Sequence, residues 1–324
     1  MQRLRFADLN LKMKTLKGIA EVTTSFRSSV VTIGNFDGIH LGHRQIIQQV
    51  VERAKNGGQF SIVYTFRPHP QQALNPNKEF GLINTYEEKQ EILESCGIDF
   101  MIEEPFGREF STISPARFFS ENLIKRLSTQ ALYVGYDFAF GKGRSGNLDL
   151  LKSLCQDNGV ELIVMKPLKI EGAICSSSRI RELLQQGDVK QAQLLLSRPF
   201  LYQGPVIRGY TRGRQIGFPT ANMPMPQKIH LKPGVYATMT RVQGEIFQSV
   251  TNIGYRPTFT DPSQIGLSIE THLLDFDRDI YGEGLIVEFY ERLRDEIKFG
   301  SPEALVDQIQ KDIVATRQFF HQTP

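Results

Sequence analysis

The spacing of apolar residues changes once along this chain, near residue 199, and this change constrains the fold more than any other feature. Up to residue 198, short runs rich in Val, Ile and Phe alternate with stretches of helical periodicity, as in VVTIG followed by LGHRQIIQQVVERAKNGG. Short strands buried on both faces and separated by helices are typical of a parallel sheet. We therefore predict a doubly wound, Rossmann-like α/β domain over residues 1–198.

After residue 199 the apolar runs become short, β-branched and aromatic, and Gly, Pro and Asp separate them: GVYATMTRV, EIFQSVTNIG, LSIETHLLDF and GLIVEFYERL. This spacing favours an antiparallel β-barrel. A long helix that begins at Ser301 and Pro302 closes the chain. We predict a second domain over residues 199–324, since a chain of 324 residues exceeds the roughly 100 to 200 of one typical domain.

Composition argues against several classes of partner. The formal net charge is only +3, from 38 basic and 35 acidic residues, which does not favour a nucleic-acid or membrane surface. The three cysteines lie far apart and never form a CxxC pair, as in a reduced compartment. No apolar run approaches the about 20 residues of a membrane span. We expect a cytoplasmic protein with no nucleic-acid or membrane partner, and the sequence leaves a homo-oligomer open.

A polar segment, GNFDGIHLGH at residues 34–43, directly follows the first buried run. Ligands in open parallel sheets bind at the carboxyl ends of the strands, which is where this segment lies. His40 and His43 share the first turn of the helix that follows, beside its free N–H groups. Three glycines let the backbone approach a phosphate closely: Gly34, Gly38 and Gly42. The segment therefore indicates a phosphate site.

Two alternatives exist for this segment. The histidines could form a zinc pair with His69 as a third ligand, although the glycines would then be unexplained. They could also only cap a helix, which leaves both Asp37 and the glycines without a reason. Phosphate binding accounts for all of these residues together.

Two glycine patterns further along do not match nucleotide-binding loops. Residues 135–142 contain one residue too many for a Walker A loop, and Gly143 stands where Ser or Thr should follow the lysine. GKGRSG at 141–146 matches GxGxxG, but residues 136–140 separate it from the preceding strand and no acidic residue ends the next strand. We interpret GKGRSG as a basic ligand loop.

A third polar segment, CSSSRIRELL, begins at Cys175 and places Ser177, Ser178 and Arg181 at the start of another predicted helix. Hydroxyl and guanidinium groups suit phosphate oxygens. Taken alone, the segment is equally compatible with an ordinary serine cap on a solvated basic helix.

Taken in order, GNFDGIHLGH, TFRPHP at 65–70, VGYDFAFGKGRSG at 134–146 and SSSRIR at 176–181 resemble the adenylyltransferase half of the bacterial bifunctional riboflavin kinase/FAD synthetases. The resemblance implies that His40 and His43 bind the ATP phosphates and stabilise charge at the α-phosphorus while the FMN phosphate attacks it. It implies further nucleotide contacts from Gly34, Asn35, Phe36, Asp37, Gly38, Gly42, Ser177, Ser178 and Arg181. It implies flavin contacts from His69, Asp137 and Phe138. Ala139 departs from the family, which commonly carries Arg there, and this puts one flavin contact in doubt.

The second half contains RGYTRGRQIGFPTAN at 208–222, in which glycines and arginines alternate ahead of Thr220 and Asn222. Such a loop can fold over phosphates, and two neutral oxygen donors on alternate residues suit Mg²⁺. The alternative is a basic, flexible hairpin loop. Further on, Glu270 and His272 share one strand face, where a carboxylate can accept a proton from an attacking hydroxyl or form a cross-strand ion pair.

With NIGYRPTF at 252–259 and LRDEIKF at 293–299, these segments resemble the riboflavin kinases, whose barrel has six strands, over residues 200–320. The resemblance implies that Thr220 and Asn222 hold Mg²⁺ with ATP and that Glu270 is the base for the ribityl 5′-hydroxyl. It implies a flavin contact from Arg294. The phosphate loop would contain Gly209, Arg212, Gly213 and Arg214.

Both halves together predict that the chain makes FMN from riboflavin and ATP, and then FAD from FMN and ATP. The expected partners are small molecules: riboflavin, FMN and ATP, with Mg²⁺ as cofactor and FMN and FAD as products. Alternatives are that one half alone is active, that the first half adenylylates another phosphate monoester, or that the chain binds flavin without turnover. RNA binding is weaker still, because the basic residues cluster in glycine loops.

Overall fold

The computed structural model describes residues 12–77, 80–209, 213, 216–257 and 265–322. The chain divides into two compact units, Met1–Ser177 and Ser178–Pro324. The helices between residues 177 and 196, which precede the predicted domain boundary at 198 and 199, group with the second unit. The position of that boundary stays a prediction.

Six parallel strands form the sheet of the first unit: β1 (Lys14–Leu16), β2 (Ser29–Ile33), β3 (Phe60–Arg67), β4 (Phe100–Pro105), β5 (Thr129–Gly135) and β6 (Glu161–Met165). Their order is β1-β4-β3-β2-β5-β6. The chain therefore builds to one side of β2 first and then to the other. Such a reversal leaves a crevice at the carboxyl ends of the strands that flank it, here β2 and β5. The predicted doubly wound fold is confirmed.

The helices of the first unit connect these strands: α1 (Leu41–Gly57), α2 (Pro70–Leu74), α3 (Tyr86–Ser95), α4 (Arg108–Ser111), α5 (Pro115–Phe118) and α6 (Leu148–Asp157). A π-helical turn, Phe119–Arg126, continues α5. A capping box begins α3: the Thr85 hydroxyl accepts the Glu88 N–H at 3.1 Å, and the Glu88 carboxylate accepts the Thr85 N–H at 3.2 Å. Such a cap stabilises a helix by about 1 kcal/mol. Near the end of the unit, β7 (Lys169–Ile170) and β8 (Ala173–Ile174) form a short hairpin.

Successive residues of the central strands enter two separate apolar clusters, one on either face of the sheet. Val31 and Ile33 of β2 belong to the cluster that contains the residues of α5 and α6. Val30 lies on the other face of the sheet and belongs to the cluster that contains Ile47 and Val50 of α1. The sheet is thus buried on both sides, which explains why its strands appear as continuous apolar runs in the sequence.

The second unit contains α7 (Ser177–Gln186), which begins at its border, α8 (Val189–Leu196) and six antiparallel strands: β9 (Phe200–Pro205), β10 (Ala221–Met223), β11 (Gly234–Val242), β12 (Glu245–Pro257), β13 (Ile265–Leu273) and β14 (Gly284–Arg294). Their order is β10-β13-β12-β11-β14-β9. The Ile207 N–H, just beyond β9, donates to the Asn222 carbonyl of β10 at 2.8 Å. This bridge joins the two edge strands and closes the predicted six-stranded barrel.

Two features stabilise the barrel. Five fully buried hydroxyl groups form a continuous hydrogen-bonded chain across β11, β12 and β13, with oxygen separations of 2.7 to 3.1 Å: Thr240, Ser249, Thr238, Thr251 and Thr271. Each hydroxyl therefore has a partner in the apolar interior. The terminal helix α9 (Pro302–Gln322), predicted from Ser301 and Pro302, packs on β11 and β12.

Candidate active sites

The loop after β2 has an unusual backbone. Phe36 and Ile39 have positive φ angles of 48° and 38°, and Gly38 between them has a φ of 85°. A left-handed backbone costs a residue other than glycine on the order of 1 to 2 kcal/mol, so the surrounding structure must hold this loop in place. Gly34 lies against the Phe36 ring, because a Cβ at Gly34 would meet that ring at 3.1 Å. Strain of this kind clusters at ligand sites.

His40 and His43 lie together at the start of α1, as their spacing predicts. His40 is the N-cap residue, and its Nδ1 accepts the His43 N–H at 3.3 Å. The two imidazole rings are stacked, with centroids 3.8 Å apart and an angle of 17° between planes. A Cβ at Gly42 would meet the His40 ring at 3.2 Å, so the small residue between the histidines keeps the pair close.

The His43 ring is in a state suited to receive an anion. Its Nδ1 atom is buried, and among the residues the structure describes it has no hydrogen-bond partner. The pKa of His43 lies well below its usual value of 6.5, because burial disfavours the cation and the neighbouring His40 and Lys89 charges repel it. A bound phosphate would supply negative charge, which would oppose the repulsion by His40 and Lys89 and raise the pKa of His43.

Side chains outside the loop hold its backbone. The Asp37 carboxylate is buried and accepts the backbone N–H groups of Ile83, at 3.0 and 3.2 Å, and Asn84, at 3.2 Å. The Ser177 hydroxyl donates to the Asp37 carbonyl at 2.8 Å. SSSRIR therefore begins beside GNFDG, as a shared phosphate site requires. Ser178 and Arg181 follow on α7, and their predicted roles stay predictions.

The loops after β3 and β5 carry the predicted flavin contacts. His69 is buried, follows the cis Arg67–Pro68 peptide, caps α2 and stacks on Phe80 with ring centroids 4.5 Å apart. Asp137 is exposed just beyond β5. Phe138, half-buried, stacks on Phe140 with ring centroids 5.5 Å apart. Both loops leave the carboxyl edge of the sheet, as the loop after β2 does.

GKGRSG does not lie in the tight turn between a strand and a helix, where a dinucleotide-binding fingerprint is found. The strand β5 ends at Gly135 and α6 begins at Leu148, so a long loop separates them. Phe140 and Gly146 close the loop through two reciprocal backbone hydrogen bonds of 2.9 Å, and the basic residues Lys142 and Arg144 between them are exposed. A cationic loop open to solvent agrees with the interpretation as a basic ligand loop.

In the second unit, the strand register brings the predicted metal ligand and base into one row. Asn222 of β10 pairs with Glu270 of β13, which also pairs with Asn252 of β12. Directly paired residues project from the same face of a sheet, with Cβ atoms about 5 Å apart. Asn252 has no role predicted from the sequence, although it belongs to NIGYRPTF.

The glycine loop packs directly on this row. A Cβ at Gly209 would overlap the Asn222 side chain, and a Cβ at Gly213 would overlap the Phe218 carbonyl and lie 3.5 Å from the Thr220 hydroxyl. Both glycines are therefore needed for contact between the loop and the two predicted metal ligands. Arg212 and Arg214, the predicted phosphate contacts of this loop, lie outside the described residues.

His272 ties this loop to the barrel. Its Nδ1 lies 2.8 Å from the Pro219 carbonyl, so Nδ1 carries the proton and donates. The Phe218 ring meets the His272 ring edge-on, with centroids 5.6 Å apart. His272 thus holds the segment immediately before Thr220 against the strand that carries Glu270.

Arg294 makes a double ion pair with α9. Its Nε and Nη2 atoms donate to the Asp312 carboxylate at 3.0 and 2.7 Å, and its Nη1 donates to the Asp295 carbonyl at 3.0 Å. The guanidinium thus fixes the end of β14 to the terminal helix. The predicted flavin contact of Arg294 stays a prediction.

The described residues offer no support for two alternatives, a zinc site and a membrane span. Within the described residues, no group of three or more His, Cys, Asp or Glu side chains is arranged to hold a metal ion, so nothing there supports zinc at His40, His43 and His69. None of the helices that the structure describes is both long and apolar enough to span a bilayer.

Known proteins share both halves of the chain. The family model for FAD synthetase matches residues 22–179, and that for riboflavin kinase matches residues 196–320. The bifunctional riboflavin kinase/FMN adenylyltransferase of Bacillus subtilis (strain 168) is 37% identical over 294 residues, 90% of this chain and 92% of the relative. The corresponding protein of Escherichia coli (strain K12) is 34% identical over 310 residues, 95% and 98% of the two chains.

The chain belongs to the bifunctional riboflavin kinase/FMN adenylyltransferases.

One solved structure matches nearly the whole length of this riboflavin kinase/FMN adenylyltransferase. It is described as a macrolide-efflux protein from Streptococcus pneumoniae, with a TM-score of 0.83 and 29% identity over 94% of this chain and 98% of the other. Efflux is said of that protein only. Its fold agrees with that of the present chain.

Membership of the riboflavin kinase/FMN adenylyltransferases does not by itself reveal what holds each site together. The structure reveals two side chains that hold the first loop and that the sequence did not indicate in this role. They are the Asp37 carboxylate and Lys89 of α3. A lysine on a predicted amphipathic helix normally lies on the solvated face, yet Lys89 is buried. The one sequence signal was its place on the helical stripe with Leu93, an apolar core residue.

Proposed function

We propose that the two reactions of the family are divided between the two halves of this chain. The second half transfers the γ-phosphoryl group of ATP to the ribityl 5′-hydroxyl of riboflavin, giving FMN and ADP. The first half transfers the AMP group of a second ATP to FMN, giving FAD and pyrophosphate. The family match over both halves is the observation that carries this proposal.

In the first half, the stacked pair of His40 and His43 acts on the triphosphate. An FMN phosphate oxygen attacks the α-phosphorus, and the bond from that phosphorus to the bridging oxygen of the β-phosphate breaks. Negative charge grows on the phosphate oxygens, and the imidazole groups and the α1 N-terminus stabilise it. The loop backbone at 34–38, with Ser177, Ser178 and Arg181, orients the phosphates.

In the second half, Glu270 is the base. Its carboxylate accepts the proton of the riboflavin 5′-hydroxyl while that oxygen attacks the γ-phosphorus and ADP leaves. Asn222, which pairs with Glu270 across the sheet, belongs to the same row and orients the nucleotide. The glycine loop with Arg212 and Arg214 covers the phosphates.

The donor set at Thr220 and Asn222 fits Mg²⁺. Both offer neutral, hard oxygen atoms, which this ion prefers alongside nucleotide phosphates. Asn222 is buried, and Gly209 leaves its side chain room to face the loop. When bound, the ion neutralises charge on the transferred phosphoryl group.

We place this chemistry in the cytoplasm, with riboflavin, FMN and ATP as partners and without nucleic acid or membrane. The nearly balanced charge argues against a nucleic-acid or membrane partner, and the three widely spaced cysteines suit a reducing compartment. Sedimentation equilibrium with and without FMN would measure whether the chain forms a homo-oligomer.

The first test follows FMN and FAD by chromatography after riboflavin, ATP and Mg²⁺ are added. The unchanged chain should form FMN first and FAD afterwards. His43→Ala should abolish FAD formation and spare FMN formation, because only the first half uses the histidine pair. Glu270→Gln should do the reverse when FMN is supplied.

Exposed residues of the same type serve as controls. His321→Ala and Glu283→Gln should leave both products unchanged, since both positions are solvent-exposed. Equal loss of both activities in His43→Ala, or in Glu270→Gln, would overturn the assignment of separate sites. FMN accumulating without FAD in the unchanged chain would overturn FMN adenylylation and would call for a panel of other phosphate acceptors.

A further inference from the structure

Lys89 is a buried lysine beneath the strained loop of the first unit. It lies on α3, and only 2% of its surface is exposed. Its ammonium group donates to the Asn35 carbonyl at 2.8 Å and to the Thr65 hydroxyl at 3.4 Å. The Thr65 hydroxyl also donates to the Asn35 carbonyl, at 3.2 Å. Two donors from two separate elements therefore hold one carbonyl group of the loop.

Fixing that carbonyl also fixes the next N–H group. The C=O and N–H of one trans peptide point in opposite directions, so the Phe36 N–H points away from Lys89 and Thr65. Within the described part of the chain, this N–H makes no hydrogen bond. Phe36 has a φ of 48°, so its conformation depends on outside contacts. Lys89 thus helps to orient the Phe36 N–H group.

Lys89 also influences the histidine pair. Its positive charge is one cause of the lowered pKa of His43. A fixed cation within reach of a predicted phosphate site strengthens the attraction of the site for anions, most of all where water is excluded.

Charged and titratable groups face Lys89 from every element around it. Asp37 and Glu103 favour its cation, Arg67 disfavours it, and the Tyr86 ring lies 5.3 Å from its Nζ. The groups are, by element, Asp37 in the loop after β2, Arg67 on β3, Glu103 on β4, His43 on α1 and Tyr86 on α3.

We propose that Lys89 is a positioning residue for adenylyl transfer: its ammonium group holds the Asn35 peptide so that the loop at 34–40 is fixed with its N–H groups directed to the phosphates. This inference rests on the proposed function of the first half. Lys89 touches the loop and not the reacting atoms, so its contribution depends on its charge and its hydrogen bonds rather than on its bulk.

The protonation of Lys89 gives this role a pH signature. Burial lowers the pKa of Lys89 to about 8, despite the opposing effects of Asp37 and Glu103. The ammonium group is therefore mostly charged at pH 7 and mostly neutral above pH 9. Loss of the proton removes both charge and one donor hydrogen from beneath the loop.

The experiment compares the unchanged chain with Lys89→Met and Lys89→Arg between pH 7 and pH 10. FAD formation from FMN and ATP is measured beside FMN formation from riboflavin in the same samples. Lys89→Met, which keeps the apolar stem, should reduce kcat/KM for FAD formation roughly 10- to 100-fold at pH 7, as small misplacements of a loop do. Lys89→Arg, which stays charged, should retain more activity than Lys89→Met.

The pH profile separates positioning from mere packing. FAD formation by the unchanged chain should decline above about pH 8, and the residual activity of both variants should lack that decline. At each pH, FMN formation by both variants should equal that of the unchanged chain. The control is Lys55→Met, which removes an exposed lysine at the far end of α1 and should behave as the unchanged chain.

Three results would overturn the inference. These are normal FAD formation by Lys89→Met at pH 7, the same alkaline decline in Lys89→Arg as in the unchanged chain, or equal loss in both variants at every pH. Failure of the unchanged chain to make FAD would instead overturn the proposed function. The two failures are therefore distinguishable within one set of assays.

Discussion

The two units hold their predicted phosphate-binding segments by different means. In the first unit the loop after β2 is strained, with positive φ at Phe36 and Ile39, and side chains from other elements hold it. In the second unit, Asn222 and Glu270 belong to paired strands, and a glycine loop packs on them. The first site depends on contacts made to a loop, and the second depends on strand register and on the absence of Cβ atoms.

This difference predicts different sensitivities. A site held by long-range side-chain contacts should weaken when a single contact far along the chain is removed. A site built on a sheet should tolerate such changes and should instead be sensitive to added atoms where the loop meets the strand. Three substitutions test this contrast, and we take them in order of expected effect.

The largest effect is expected from Gly209→Ala. The added Cβ would overlap the Asn222 side chain, which must then move from the row that contains Glu270. A shift of about 1 Å in such a group lowers activity about 100-fold, so we expect FMN formation to fall by about that factor. FAD formation from supplied FMN should stay unchanged, as chromatography of both products would show.

Gly284→Ala is the matched control for Gly209→Ala. Gly284 begins β14, and among the described residues nothing lies within 4 Å of a Cβ built there. This variant should form FMN at the normal rate. Normal FMN formation by Gly209→Ala would mean that the glycine loop does not need its close contact with Asn222.

The next effect is expected from Asp37→Asn. The buried carboxylate accepts two backbone N–H groups, and charged acceptors make such bonds stronger. We expect a loss on the order of 2 kcal/mol in the free energy of unfolding of the first unit. FAD formation should fall with it, while FMN formation should not. Asp157→Asn, at an exposed position, provides the control.

Hydrogen exchange at Ile83 and Asn84 measures the Asp37→Asn effect locally. Faster exchange at those amides, with unchanged exchange in the barrel, would agree with a tie between the loop and the segment that precedes α3. Unchanged exchange at Ile83 and Asn84 would contradict the proposed dependence of the first site on this contact.

The smallest effect concerns pH and His43. The pKa of folded His43 lies well below 6.5, so the unfolded chain binds a proton more readily. The stability contributed by neutral His43 is therefore complete above about pH 6.5 and is lost as the pH falls toward the folded value, by at most about 1.4 kcal/mol per pH unit.

Chemical denaturation of the unchanged chain and of His43→Gln, between pH 5 and pH 8, isolates this effect. The difference in unfolding free energy between the two proteins should change with pH in the direction given above. A difference independent of pH would contradict a lowered pKa at His43. ATP should also bind the first unit with proton uptake, because its phosphates raise the pKa of the imidazole.

Periodicity predicted most of the fold. GVYATMTRV coincides with β11, and the terminal helix predicted from Ser301 and Pro302 is α9, which begins at Pro302. β1 was missed because its three residues, Lys14–Leu16, carry no pattern of their own and become a strand only by pairing with β4. A sequence read by local spacing cannot show a pairing that depends on residues some 86 positions away, Lys14 with Phe100.

The same contrast between local spacing and long-range contacts applies to the two sites. His40 and His43 were predicted to lie together because three positions along one helix set their distance. The ties from Asp37 to Ile83 and from Lys89 to Asn35 join residues 46 and 54 positions apart, and no local spacing indicates them. The register of Asn222 with Glu270 is likewise set by the whole sheet.

The bridge from Ile207 to Asn222 has a consequence for how this barrel tolerates changes of length. Its hydrogen bond joins β10 to the chain just beyond β9, and it is made at Asn222, the residue that pairs with Glu270 of β13. Because side chains alternate along a strand, a slip by one residue would turn Asn222 to the opposite face from Glu270. We therefore expect insertions between residues 207 and 222 to be tolerated only where they preserve this alignment, because the bridge and the proposed kinase site depend on the same register of Asn222.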